Sequence, residues 1–167
     1  MKAEDVPFAP TKIVVDTYES DDIHRYLVEW GLALPDKYPL PFGDYWVHKR
    51  NGMVVPIERK WTDLAGDWPR HLRVQLDKCE VGARTLNNCT FEEQDVVLLK
   101  EGILNTDEDT GRLLIGRRRL RKVWYDQVES TILGWQETRH LRVYQCNEGA
   151  IHVARAVKAI FRHYRRA

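Results

Sequence analysis

Four consecutive apolar residues, Val96-Val97-Leu98-Leu99, constrain the fold more than any other stretch of this chain. Such a run reads as a strand. Successive side chains of a strand point to opposite faces, so an unbroken apolar run needs cover on both sides. The chain can supply that cover. Ile23, Tyr26, Leu27 and Trp30 recur at helical spacing, as do Leu72, Leu76, Cys79 and Ala83. Val123, Trp124, Val128, Ile132 and Trp135 form a third such stripe. Ile151, Ala154, Val157, Ile160 and Phe161 form a fourth. At 167 residues the chain is long enough for one domain with a real core.

The remaining elements follow in order. Residues 1–11 hold two prolines and no periodicity, and read as a loose lead-in to a domain over 12–167. Lys12 to Asp16 is a short apolar strand that ends on a carboxylate. Ser20-Asp21-Asp22 caps the first helix and Gly31 closes it. Residues 34–41 carry three prolines and form an extended connection. Asn51-Gly52 favours a tight turn, so 42–49 and 53–60 read as a β-hairpin. Pro56 donates no ladder bond, and marks a strand start, an edge position or a bulge. Trp46 and His48 share a strand face, Trp46 packed and His48 exposed.

Thr62 or Asp63 caps a helix with its body over 68–85. Residues 105–112 form a polar loop with room to move. The spacing predicts a helix over 120–138, a strand over 141–146, and a last helix over 148–165 capped by Asn147. The order β-α-β-β-α-β-α-β-α makes an α/β layer architecture, a central mixed β-sheet flanked by helices.

Composition narrows the functional classes. No apolar run is long enough to span a bilayer, no signal-peptide pattern opens the chain, and no membrane partner is expected. The three cysteines are odd in number, fit no zinc spacing and read as reduced thiols in a cytoplasmic-type compartment. The formal net charge is only +1, but it is unevenly distributed. Basic residues gather at Arg117 to Lys122 and again at Arg162 to Arg166. The first of these runs contacts phosphate or is a solvated face.

The chemistry lies on the hairpin. Glu58 and Lys60 are two residues apart on one strand and point to the same face, with Arg59 opposite. The turn brings Asp44 back towards Glu58. Two convergent carboxylates suit a hard divalent cation such as Mg²⁺, which keeps water and phosphate oxygens as its other ligands. A neighbouring lysine can orient the attacking water and steady charge on the phosphate.

The blocks Ile13 to Ser20, Gly43-Asp44-Tyr45 and Ile57-Glu58-Arg59-Lys60 together resemble the nuclease domain of the XPF family of structure-specific DNA endonucleases. That family reads V-D-x-R-E, then G-D-x, then (I/V)-E-R-K-x-x-x-D. Asp16 and Glu19 match the first block, with Tyr18 where the family has arginine. Asp63 follows Lys60 after two residues instead of three. The resemblance runs in element order from about Lys12 to about Tyr164, with its specific motifs in the first half.

The resemblance implies a restriction-endonuclease-like three-layer fold of the PD-(D/E)xK type. It implies that Asp44, Glu58 and the Arg59 main-chain carbonyl hold Mg²⁺ or Mn²⁺, and that Lys60 positions water. Asp16 and Glu19 would supply outer-shell or second-metal oxygens. Arg59 would support the site or bind DNA, with Asp63, Gln75 and Arg70 or Arg73 nearby. Arg117, Arg118 and Arg119 join the support or DNA-binding set. The implied reaction is hydrolysis of DNA near duplex–single-strand junctions, leaving 5′-phosphate and 3′-hydroxyl ends, in repair, recombination or replication.

Neither a helix-hairpin-helix domain nor a helicase domain is found in these 167 residues. A free-standing nuclease, or a subunit that borrows DNA binding from a partner, both fit. Pairing as a homodimer or heterodimer through the nuclease domain is implied, as is a cytoplasmic, nucleoid-associated or nuclear location. Two other classes compete: a catalytically inactive scaffold or DNA-binding subunit, and an RNA- or protein-binding domain in which these charges are surface pairs.

Overall fold

The computed structural model describes residues 2–61, 68–115 and 118–166. The expected layers are present. A five-stranded sheet runs in the order β1 (Val14–Val15), β2 (Tyr45–His48), β3 (Val54–Trp61), β4 (Val96–Glu101) and β8 (Leu141–Cys146). β1, β2 and β3 pair antiparallel, whereas β3–β4 and β4–β8 are parallel. Strand β4 is therefore an interior strand, and Val97, Leu98 and Leu99 are fully buried, as an apolar run covered on both faces requires.

Alternation along the strands sorts the core into two halves. On one face Val14, Trp46, Val54, Val96, Leu98 and Leu141 pack against α2 (Arg70–Asn87) and α3 (Tyr125–Thr138). On the other, Val15, Tyr45, Val47, Ile57, Val97 and Leu99 pack against α1 (Asp21–Glu29) and α4 (Ala150–Arg166). The stripes Val128–Ile132 of α3 and Val153, Ala154, Val157, Ile160 and Phe161 of α4 are thus consumed by the chain's own core. Among the described residues no helix is long and apolar enough to cross a membrane.

Several expectations change. The polar stretch 105–112 is not a loose loop. It is the start of a second, three-stranded antiparallel sheet of β5 (Asn105–Thr106), β6 (Arg112–Ile115) and β7 (Arg118–Trp124). Asp107 closes the β5–β6 turn, its Oδ1 accepting from Thr110 N at 2.9 Å and Thr110 Oγ1 at 2.7 Å. The helix expected from 120 begins at Tyr125, because Leu120 to Trp124 belong to β7, the strand that pairs with β6. Val123 and Trp124 satisfy either periodicity, so only the strand partner decides between them. Arg118 to Lys122 of the basic run therefore lie on a strand.

The last helix begins at Ala150, after Gly149 at φ +117°, so Asn147 lies three residues outside it. In α1 Ser20 occupies the cap position without a side-chain cap bond. Pro56 sits inside β3 opposite Trp46, just before pairing with β4 begins at Ile57. The cap expected from Thr62 or Asp63 falls outside the described residues.

His48 is buried, not exposed, at 1% accessibility. It lies edge-on to Phe8, whose segment covers the hairpin, and its Nδ1 has no partner among the described residues. Burial lowers its pKa from 6.5 to about 4. The unfolded chain then takes up a proton at a pH where the folded chain does not. Stability contributed by neutral His48 is full above pH 6.5 and is lost as the pH falls towards 4, by about 3 kcal/mol. Urea titrations of wild type and His48→Leu at pH 7 and pH 4.5 measure this as a difference between the two proteins. An equal loss in both would refute it.

Helix α2 approaches the segment before the site closely at Gly82. A Cβ there would stand 2.3 Å from the Phe42 ring, which stacks on Trp46 at 4.8 Å between centroids. Gly82→Ala gains about 1 kcal/mol of helix propensity. It overpacks a buried aromatic pair at about 1–3 kcal/mol. A net fall in thermal midpoint is the expected result, and a rise would show that Phe42 moves aside freely.

Candidate functional site

Gly43 fixes the entry to β2. Its φ is +70°, and a Cβ would lie 3.1 Å from Pro56 Cβ and 3.3 Å from the Ile57 carbonyl oxygen. Only glycine allows both the left-handed turn and this approach. The Asp44 amide then donates to the Ile57 carbonyl at 2.8 Å, laying Asp44 against β3. Asp44 Oδ2 accepts from the Arg59 amide at 2.6 Å, which sets the carboxylate beside the strand carrying Glu58 and Lys60.

Glu58 is 4% exposed and faces α2, where Cys79 Sγ lies 3.8 Å from its Oε2. Lys60 follows on the same face of β3, half-buried, and its charge acts on both carboxylates. That charge does not offset the cost of burial. Asp44 is raised to about 7, first by desolvation and then by Glu19. Glu58 is raised to about 8, first by desolvation and then by Asp44. Each carboxylate makes ionisation of the other harder, so a cation held between them would relieve both. Two oxygen-donor groups short of positive charge suit Mg²⁺ or Mn²⁺. Among the described residues no group of three or more His, Cys, Asp or Glu side chains is placed to hold a metal ion, so the candidate donor set is this pair.

Behind β3 the Arg59 side chain makes a different cluster. Its Nε and Nη2 donate to Glu19 at 3.0 and 3.1 Å, and its Nη1 pairs with Glu101 at the end of β4. The Tyr45 hydroxyl also donates to Glu19, and the Gly149 amide donates to Glu101 Oε1 at 3.2 Å. One guanidinium therefore joins the β1–α1 loop, β3, β4 and the start of α4. With its donors engaged there, Arg59 has the contacts of a support. Tyr45, Cys79 and the Gly149 amide are not among the sequence candidates, and Glu101 enters there only through the likeness of Glu101-Gly102 to the family's strand ending in an acidic residue and glycine. Glu101, at the end of a buried strand, carried a readable signal, whereas the others look like core or turn residues.

The first-block acids are engaged too. Asp16 accepts from the Tyr18 amide at 2.9 Å and the Leu40 amide at 2.7 Å, tying the 34–41 segment to β1. Asp16 thus organises a loop, and Glu19 balances Arg59 while its charge is felt at Asp44. Gln75 lies one turn before Cys79 on α2, with its Oε1 buried and unpartnered among the described residues. Arg70 and Arg73 are exposed on the first turns of α2, and Arg73 lies 3.9 Å from Asp77. Arg118 and Arg119 are on β7, outside the main sheet. Asp63 and Arg117 lie outside the described residues.

No family model matches the chain, and no curated protein sequence does. Among solved structures, XPF from Aeropyrum pernix superposes with a TM-score of 0.62 over 91% of this chain, at 17% sequence identity. This chain has an XPF-like nuclease fold. It spans 66% of the length of that XPF chain. At this identity the likeness is one of fold.

Proposed function

We propose that this chain is a metal-dependent endonuclease that hydrolyses phosphodiester bonds in DNA, acting at flaps, forks or junctions in repair, recombination or replication. The observation that carries the reading is buried Glu58 beside half-buried Asp44, with Lys60 on the same strand face. A surface ion cluster would be solvated, and its carboxylates would keep ordinary affinities for protons. This pair is desolvated, mutually repelling and short of positive charge.

Asp44 and Glu58 would hold Mg²⁺ or Mn²⁺, joined by the Arg59 main-chain carbonyl. Bound there, the ion would polarise a phosphoryl oxygen and make water a better nucleophile at neutral pH. The Arg59 amide holds Asp44 through Oδ2, which leaves Oδ1 for ligation. Lys60, as an ammonium, would orient the attacking water and offset charge gathering on the phosphate. Glu19, Arg59 and Glu101 would keep β3 and β4 in register behind the site. Arg70, Arg73 and Gln75 on α2 would face the DNA backbone, with Asp63 and the Arg117–Arg119 run as further contacts.

The test is cleavage of end-labelled duplex, single-stranded, 3′-flap, fork and Holliday-junction DNA with Mg²⁺ or Mn²⁺, with Asp44→Asn and Lys60→Ala alongside. Metal-dependent cutting abolished by both variants supports the nuclease. The ranking of substrates decides the branched-DNA part. A wild type that binds DNA and cuts none of these substrates would turn the reading to the inactive scaffold.

A further inference from the structure

A strongly basic surface remains that the site does not use. On α4, Arg155, Arg162 and Arg166 lie at spacings of seven and four residues, exposed, with no carboxylate within 4.0 Å of any of them among the described residues. They share a shallow depression with Lys158 and His163. His163 also borders a second depression that holds Lys49, Arg50 and Arg142. The acid of that depression, Asp95, is already matched by Lys49 at 2.9 Å and Arg142 at 3.8 Å. Cations in the last turn favour a helix terminus, but that accounts for neither Arg155 nor the hairpin residues Lys49 and Arg50.

The position matters as much as the charge. Glu58 and Lys60 point to the α2–α3 face of the sheet, whereas α4 covers the opposite face. Lys49 is five residues along β2 from Asp44, about 17 Å at 3.3–3.4 Å per residue. The start of α4 touches Glu101 near the site, and its basic end lies about 25 Å away at 1.5 Å per residue. The patch therefore lies on the opposite face of the sheet, beginning about 8 Å along α4 at Arg155 and running away from the site to Arg166. A straight duplex lying over the Asp44–Glu58 face would leave this opposite face uncovered.

We infer that the α4 patch is a second nucleic-acid contact surface, which holds the phosphate backbone of a DNA segment separate from the one presented to Asp44 and Glu58. From Arg155 to Arg166 the helix rises about 16 Å. That length covers about five phosphates of one strand at 3.4 Å each. Side chains on one exposed helix face suit such backbone contact, which is sequence-independent and salt-sensitive. The inference rests on the nucleic-acid reading of the site and adds a bent or two-armed substrate to it.

The experiment is fluorescence anisotropy of a labelled DNA fork without metal, over a range of salt, for wild type and for Arg155→Glu/Arg162→Glu/Arg166→Glu. The neutral triple glutamine variant serves as a second probe, and thermal midpoints check folding. The expected result is an affinity loss of about tenfold or more, with the salt slope reduced by about 2–3. Single-turnover cleavage at saturating DNA should be unchanged. Wild-type affinity and slope in both variants would overturn the inference, whatever the cleavage assay shows. Loss of binding in the variants of a protein that cuts nothing would keep the second surface and overturn the nuclease. Wild-type binding to poly-glutamate but not to DNA would assign the patch to an acidic protein and overturn the inference.

Discussion

Asp44→Asn is expected to abolish metal-dependent cleavage, by about 10³-fold or more, and at the same time to stabilise the metal-free protein at alkaline pH. The two effects have one cause. Asp44 and Glu58 are both held above the usual carboxylate range by burial and by nearby negative charge. Their folded affinities for protons exceed the unfolded ones. Stability is therefore full below about pH 4 and is lost as the pH rises through about 7 to 8. The amide removes one member of the pair and keeps an oxygen that can accept from the Arg59 amide. The gain at pH 9 is on the order of a few kcal/mol, falling to near zero at pH 4.

Thermal scans of wild type and Asp44→Asn in EDTA across pH 4 to 9 would show this directly. A variant less stable than wild type at pH 9 would mean that the pair does not repel. Adding Mg²⁺ should raise the wild-type midpoint and leave the variant's unmoved. Cleavage by the wild type should increase from pH 6 to pH 9, because ligation requires both carboxylates ionised. A profile flat across that range would separate the reaction from this pair.

The largest stability effect is expected at Arg59. Arg59→Ala leaves Glu19, at 7% exposure, and Glu101 without their shared cation. Removing one partner of a buried ion pair costs about 3–5 kcal/mol, since the stranded charge has lost both water and its partner. Arg59→Lys should recover part of that loss. The charge returns, but one ammonium lacks the planar fork that reaches both acids. Urea titration of the three proteins at pH 8 is the measurement. A loss below 1 kcal/mol at pH 8 would show that the cluster is dispensable. Per folded molecule, Arg59→Ala should cut DNA better than Asp44→Asn, because the bond that fixes Asp44 comes from the Arg59 main chain.

Much of the architecture depends on short-range signals. The run Val96–Leu99 demanded cover on both faces, and the helical stripes matched it. The turn at Asn51-Gly52 placed the hairpin, and the i, i+2 spacing put Glu58 and Lys60 on one face with Arg59 behind. Each of these rests on the geometry of a few adjacent residues, which is the same in any fold.

Other features depend on partners far along the chain. Whether Val123 and Trp124 belong to a helix or a strand depended on β6. His48 is buried because Phe8 lies over it. Asp16 proved to hold Leu40, and Arg59 to join Glu19 and Glu101, 40 and 42 residues away. The raised proton affinities of Asp44 and Glu58 come from the helix and strands that exclude water from them. Sequence alone determined the layers, the hairpin and the candidate triad, because periodicity and turn chemistry are local. Tertiary structure alone decided which charges are buried, which are paired and which remain for a ligand. Desolvation and long-range pairing exist only once distant segments have met.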